Sequence, residues 1–173
     1  MKADAAMQTR RLLFAITVLN LILCVEALGQ TANPVLLKIA GEVEKPLSLT
    51  AADLAKLPRV STKAKDHDGK EAVYEGVPLV EVLKLAGVKF GEALRGKNLA
   101  LFLVVDAADG YRAVYALPEL DDSYNDKVFI LADKRDGAPL SSQNGPLQII
   151  VPAEKKHARW VRQVTALTIR RAE

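Results

Sequence analysis

The chain has 173 residues, half of them hydrophobic, which suits one compact domain plus a short appendage. Its net charge of +3 comes from 24 Lys and Arg against 21 Asp and Glu. That balance excludes the broad basic surface general nucleic-acid binding needs. A single cysteine, Cys24, excludes an internal disulfide and leaves no thiolate nucleophile or sulfur ligand after the first 29 residues.

Those first 29 residues read as the appendage. Lys2, Arg10 and Arg11 form a positive segment, and Leu12–Val25 is an apolar run of 14 residues interrupted by Asn20. It is shorter than the roughly 20 residues a membrane-spanning helix needs. Ala27 and Gly29 form a small-x-small pattern before Gln30. The prediction is a signal peptide over 1–29, cleavage near Gln30, a domain over 30–173, and a periplasmic or secreted product with no stable membrane span after cleavage. Thr9-Arg10-Arg11-Leu12-Leu13-Phe14 loosely matches a twin-arginine signal, and Leu23 before Cys24 argues against a lipoprotein box. Residues 1–29 hold three of the basic and two of the acidic side chains, leaving 21 against 19, or +2.

From residue 30 onward, Val35–Ala40 is apolar enough for a first strand, and Leu47–Leu49 alternates like a second. Thr50 is a good N-cap for a helix over Ala51–Leu57, with Asp53 placed to complete the cap and Pro58 to stop it. Arg59–Lys65 and Glu71–Tyr74 flank Asp66-His67-Asp68-Gly69, where Asp-Gly marks a hairpin turn. Leu79–Ala86 has an apolar face for a helix with Gly87 as its C-cap. Phe90–Lys97 reads as a loop or one helical turn. Leu99–Val105 is the most apolar stretch and is predicted as a central strand, turned by Asp109-Gly110 into Tyr111–Tyr115. Leu117–Tyr124 reads as a short acidic helix, Val128–Ala132 as a buried strand, and Val164–Arg170 as the last strand. Hairpin signals separate several strands, so the class is α+β, with a mixed, largely antiparallel sheet and short helices.

The chain is organised around Gly145–Val164. Leu147–Val151 is a short β-branched run closed by Pro146 and Pro152, which reads as a buried strand. Beyond it come Lys155, Lys156, His157, Arg159 and Arg162, with Trp160, the chain's only tryptophan, among them. A strand that delivers cations and one aromatic anchor to a sheet rim suits an anion, with Arg159 the best single grip. The alternative is a solvated basic loop with Trp160 in the core. Tyr111, Arg112, Asn144 and Gln148 complete the candidate ligand-binding set. No serine lies in a nucleophile elbow, and His67 and His157 are the only two histidines. Asp66-His67-Asp68 reads as a hairpin turn ahead of a divalent-metal site: in an extended run the three side chains alternate faces and cannot all reach one ion, whereas in a turn they could. No catalytic residue and no metal ligand is assigned.

Five motifs in order resemble the oxidoreductase molybdopterin-binding domain family, the sulfite-oxidase-type fold. They are Gly41–Pro46 with Leu47–Thr50 and Asp53-Leu54, then Tyr74–Leu79, Asp109–Tyr111, Gly137–Leu140, and Gly145-Pro146 through Val151-Pro152 to Trp160-Val161. The resemblance covers about residues 35–171. It implies the fold of that family and molybdopterin as a cofactor. In catalytic members of the family, a cysteine ahead of the Tyr/Trp-x-Gly-Val-x-Leu motif binds molybdenum; here that stretch is Val60–Lys65, which has none. Serine or threonine there is a poor substitute for a soft thiolate. The arginine common in the Gly-Pro strand is replaced by Gln148.

The expectation is therefore an exported domain that binds an anionic, pterin-phosphate-like small molecule or an acidic protein partner, without redox catalysis of its own and without nucleic acid. The alternative is a molybdopterin-dependent oxidoreductase or its auxiliary subunit, with the metal held without a protein thiolate.

Overall fold

The computed structural model describes residues 33–152 and 154–173. The predicted signal peptide, its cleavage site and Cys24 lie outside the described residues. Among the described residues, no helix is long and apolar enough to cross a membrane.

Among the described residues, ten strands form two five-stranded sheets, with the mixed, largely antiparallel pairing expected. In the first, the order is β2 (Leu47–Thr50), β1 (Val35–Gly41), β10 (Val164–Arg171), β5 (Leu101–Ala107) and β6 (Arg112–Ala116). The β1–β10 pair is parallel, and every other described pair in both sheets is antiparallel. In the second, β3 (Val60–Lys65), β4 (Glu71–Pro78) and β7 (Ile130–Arg135) run side by side, with β8 (Ala138–Pro139) and β9 (Gln148–Ile150) both on the far edge of β7. The physical reason for two sheets is that a sheet with one apolar face must cover it, and here each supplies the cover for the other. One core draws Leu37, Ile39, Leu103, Leu167 and Ile169 from the first sheet and Tyr74, Val77, Ile130, Leu131 and Ile149 from the second.

The predicted central strand is displaced. The strand over 101–107 lies between β10 and β6, and the middle of the first sheet is the C-terminal β10. Its place follows from the long-range parallel pairing of Lys38–Gly41 with Ala166–Ile169, which no local turn signal announces.

Among the described residues, three short α-helices connect the strands. In α1 (Ala51–Leu54), the Thr50 hydroxyl accepts from the Asp53 N–H at 3.3 Å and the Asp53 carboxylate accepts from the Thr50 N–H at 3.1 Å. This capping box starts the helix as predicted, but it ends at Leu54, not Leu57. The helix α2 (Leu79–Leu85) buries Leu79, Val82 and Leu83, and Gly87 follows at φ +83°. The expected helix over 117–124 is only α3 (Leu117–Leu120). Asp121 stops it, because its side chain accepts from the Ser123 N–H at 2.9 Å and so holds a local turn in competition with the helix.

Two contacts place the organising stretch. The Ile149 N–H donates to the Val161 carbonyl and the Val164 N–H to the Leu147 carbonyl, both at 2.9 Å. They tie β9 in the second sheet to the chain entering β10 in the first. Gly76 in β4 allows a close approach of β7, since a Cβ there would sit 2.1 Å from the Leu131 carbonyl oxygen.

Candidate functional site

The loop after β9 is pinned from below by Trp160. Its indole N–H donates to the Val151 carbonyl at 3.0 Å, it is 5% exposed, and its ring meets Tyr74 edge to face at 5.8 Å between centroids. A buried indole needs such a partner for its one donor. Trp160 therefore lies in the core, as expected, and one edge of it also lines a pocket.

Arg159 has its donors filled from within the protein. Its guanidinium donates to Glu119 at 2.9 and 3.2 Å, to Glu154 by a close ion pair, and to the Val114 carbonyl at 3.2 Å. It also lies 4.7 Å from the centre of the Tyr115 ring, and the Tyr115 hydroxyl donates to the Arg159 carbonyl. Burial alone would lower the guanidinium pKa, but the hydrogen bonds it donates to Glu119 and Glu154 outweigh that and raise the value. The fork expected to grip an external anion is held between two carboxylates. It fastens the loop to β6 and α3. The Tyr115 phenol is shifted upward, chiefly by burial, with the Arg159 charge opposing the shift.

Beside this anchor lies a pocket of about 200 Å³ that contains His67, Asp109, Tyr111, His157, Trp160 and Arg162. His67 stands on the β3–β4 hairpin tip, where the Asp66 N–H donates to the Lys70 carbonyl and the Gly69 N–H to the Asp66 carbonyl, at 2.8 and 2.9 Å. The Asp66 carboxylate forms a close ion pair with Arg135. His157 opens a single 3-10 turn, His157–Arg159. The two imidazoles meet at 4.8 Å between centroids, and His157 meets Trp160 at 4.2 Å. Tyr111 closes one side: its hydroxyl donates to the Ala158 carbonyl at 2.6 Å, while its N–H donates to Asp109 at 2.9 Å. Tyr74, below Trp160, is pushed up to about 12, first by burial and then by the negative charge of Asp66.

The remaining candidate residues are dispersed. Arg112 is engaged by Asp106 on the neighbouring strand. Asn144 is half-buried in the loop before β9, where its N–H donates to Ser141 at 3.0 Å and its carbonyl accepts from Gln163 at 2.9 Å. Gln148 is 5% exposed in β9, and its Oε1 has no partner among the described residues. Lys155 and Lys156 are exposed and form no ion pair among the described residues. The structure thus brings His157, Trp160 and Tyr111 together and leaves Arg112, Asn144 and Gln148 apart from that pocket. It also adds His67, Asp109 and Arg162. The sequence places His67 in a turn and does not reveal its meeting with His157, 90 residues away; a chain with two histidines in total, one in each loop, was the available signal.

A larger cavity, about 410 Å³, lies elsewhere, between α2 and the 120–129 segment. Its rim mixes Glu81, Lys84, Asp122 and Lys127 with apolar Val80 and Val128, and it holds none of the candidate ligand-binding residues. Size alone does not make it the site; the smaller pocket has the convergent aromatic and polar groups.

Residues 30–173 match the family described as oxidoreductase molybdopterin binding domain. The chain belongs to that family. Among solved structures it is similar to the sulfane dehydrogenase SoxCD from Paracoccus pantotrophus, with a TM-score of 0.63 and 24% sequence identity. The likeness covers 83% of this chain and 40% of that one, so it is a likeness of fold, and the chain spans well under half of that protein's length. No curated protein matches. The sulfite-oxidase-type fold inferred from the five motifs is therefore the fold of this family member, and membership favours the oxidoreductase-domain alternative raised by the sequence.

The donor set of this member can be compared with the group its family name implies. The resemblance implies a cysteine thiolate as the molybdenum ligand, a softer donor than the oxygen of serine or threonine. The strand that should supply it is β3, whose residues are Val, Ser, Thr, Lys, Ala and Lys, and no described residue is a cysteine. Gln148 is neutral where the family has a cation, and Arg159 is already paired twice. These side chains do not fit a thiolate-ligated molybdenum, and no reaction step is derived through one.

Proposed function

We propose that the chain is a ligand-binding domain of the molybdopterin family, without redox catalysis of its own, that takes a small anionic, pterin-phosphate-like molecule at the pocket between the hairpin tip and the basic loop. The observation that carries this reading is the pocket's composition: Tyr111, His157 and Trp160 offer aromatic surface for a planar ring, and Arg162 offers a charge with no internal partner among the described residues. Lys155 and Lys156 add two more unpaired cations next to His157. An acidic protein surface is the other occupant this charge would accept, and export to the periplasm or beyond remains part of the proposal, from the N-terminal sequence.

A second reading is favoured by the family match over residues 30–173: a molybdopterin-dependent oxidoreductase or its auxiliary subunit, with the metal held without a protein thiolate. Membership supports this reading more directly; the side chains at the pocket support the first.

One preparation separates them. Protein purified from a host able to make the cofactor is analysed for molybdenum and pterin, then melted with and without phosphate-bearing pterin analogues. The first reading expects no stoichiometric molybdenum and a salt-sensitive rise in melting temperature. Joint replacement of Lys155, Lys156 and Arg162 by alanine should abolish that rise. About one molybdenum per chain, as a full metal site carries, establishes the second reading. An undiminished rise in the triple variant removes the pocket from consideration.

A further inference from the structure

We infer that His67 and His157 form a two-imidazole site for a divalent late transition-metal ion, copper(II) above all. The inference goes beyond the anion-binding proposal and does not depend on it.

The chain has two histidines, one on the tip of the β3–β4 hairpin and one on the 3-10 turn after β9, and the fold puts their rings 4.8 Å apart. Two imidazoles on one ion, each bound at about 2.0–2.1 Å and separated by a roughly 90–110° angle, have ring centroids about 4.5–5.2 Å apart. The observed spacing falls inside that interval. Imidazole suits copper, nickel and zinc, and copper(II) binds most tightly for a given nitrogen set.

Both rings stand on braced backbone. The hairpin tip is closed by its own hydrogen bonds and by Asp66 on Arg135. The 3-10 turn is held by Arg159 on Glu119 and Glu154, and by the Trp160 N–H on the His157 carbonyl at 3.0 Å. Such support lowers the entropic cost of bringing two ligands to one ion.

Among the described residues, no three His, Cys, Asp or Glu side chains converge as a closed metal cage. Two protein ligands would leave coordination positions for water or an external ligand, and both histidines line the 200 Å³ pocket. Asp109 on the same rim offsets the repulsion a dication meets from Arg162, Lys155 and Lys156.

The test uses tag-free protein in a non-coordinating, phosphate-free buffer titrated with copper(II) alone, read by calorimetry and by electron paramagnetic resonance. The expected result is one ion per chain with nitrogen hyperfine structure. Loss of even an outer-shell partner weakens metal sites by roughly 10–100-fold, so His67→Ala and His157→Ala should each weaken binding by at least that. His67 is exposed at a hairpin tip, so its variant keeps the fold, and an unchanged circular dichroism melt verifies this. The His67→Ala/His157→Ala double variant contains no histidine. If it takes up copper as the parent does, or if the parent takes up none, the two rings are packed against each other and nothing more.

Discussion

Arg159 and Arg162 lie three residues apart in one basic run and have opposite fates. Arg159 is flanked by Glu119 and Glu154, lies over Tyr115, and belongs to the framework. Arg162 is exposed on the pocket rim and makes no ion pair among the described residues. The difference lies in what the fold brings to each. Glu119 arrives from α3, 40 residues away in sequence, and no inspection of residues 155–162 could reveal it. A run of cations is therefore two things at once: a structural half that orders the loop, and a free half available to a ligand.

The change that should break both halves together is Trp160→Ala. The indole fills core space beneath the loop and satisfies the Val151 carbonyl. Truncating a buried tryptophan costs about 3–5 kcal/mol. Urea unfolding should show that loss, and the anion response should vanish with the loop's order. A variant with near-parent stability would mean the loop is held by Arg159 alone.

Next in size, Arg159→Ala should destabilise by about 2–3 kcal/mol, less than a fully buried pair, because the guanidinium is partly solvated. It leaves Glu119 and Glu154 facing each other with no cation between them. Adding Glu154→Gln should restore part of the loss, since the damage is uncompensated charge rather than missing volume. Arg162→Ala should stay within about 0.5 kcal/mol, as exposed substitutions do. Equal effects of the two arginine variants in chemical denaturation would erase the distinction drawn between them.

Much of this architecture was legible in the sequence. Asp68-Gly69 announced the β3–β4 hairpin, Thr50 with Asp53 announced the capping box, and the proline-bounded run Leu147–Val151 announced β9. These are local signals, each decided within a few residues. What escaped was set by pairing at a distance. The parallel β1–β10 ladder put the C-terminal strand in the middle of its sheet, and Asp121 ended α3 four residues early by bonding to Ser123. At the candidate site, Trp160 as anchor was readable from its isolation in an otherwise polar loop. The meeting of His67 with His157, and the double pairing of Arg159, depend on hairpin tip, α3 and loop arriving at one place.

A smaller effect should appear in acid. Asp121 is 2% exposed, and that burial pushes its carboxyl upward. Bonds from the Ser123 hydroxyl at 2.6 Å, the Ser123 N–H and the Gly91 N–H outweigh it, so its pKa is depressed. A depressed carboxyl contributes stability that is fully present above its unfolded value, about 3.9, and lost as pH falls through the lower folded value. Stability measured below about pH 4 should therefore fall less steeply in Asp121→Asn than in the parent. The groove this residue borders lies away from the histidine pocket, so the anion response at neutral pH should be unchanged. A variant that alters that response would show that the two regions are not independent.

At Gln148 the expected change is again small, and its sign is the informative part. In β9 this side chain is 5% exposed, and its Oε1 lacks a donor among the described residues. A buried acceptor without a partner costs roughly 1–3 kcal/mol of desolvation. Replacing the amide by a thioether of similar volume removes that penalty and keeps the packing, so Gln148→Met should be neutral to stabilising by about 1 kcal/mol. Gln148→Arg should be destabilising, because it places a cation where Ala132 and the apolar residues of β9 surround it. This contrasts with Arg159, whose burial comes with two carboxylates in place. If chemical denaturation instead shows Gln148→Met losing more than about 1 kcal/mol, the amide has a bonded water or ligand as its partner, and the ligand-accessible region reaches from the rim into the strand itself.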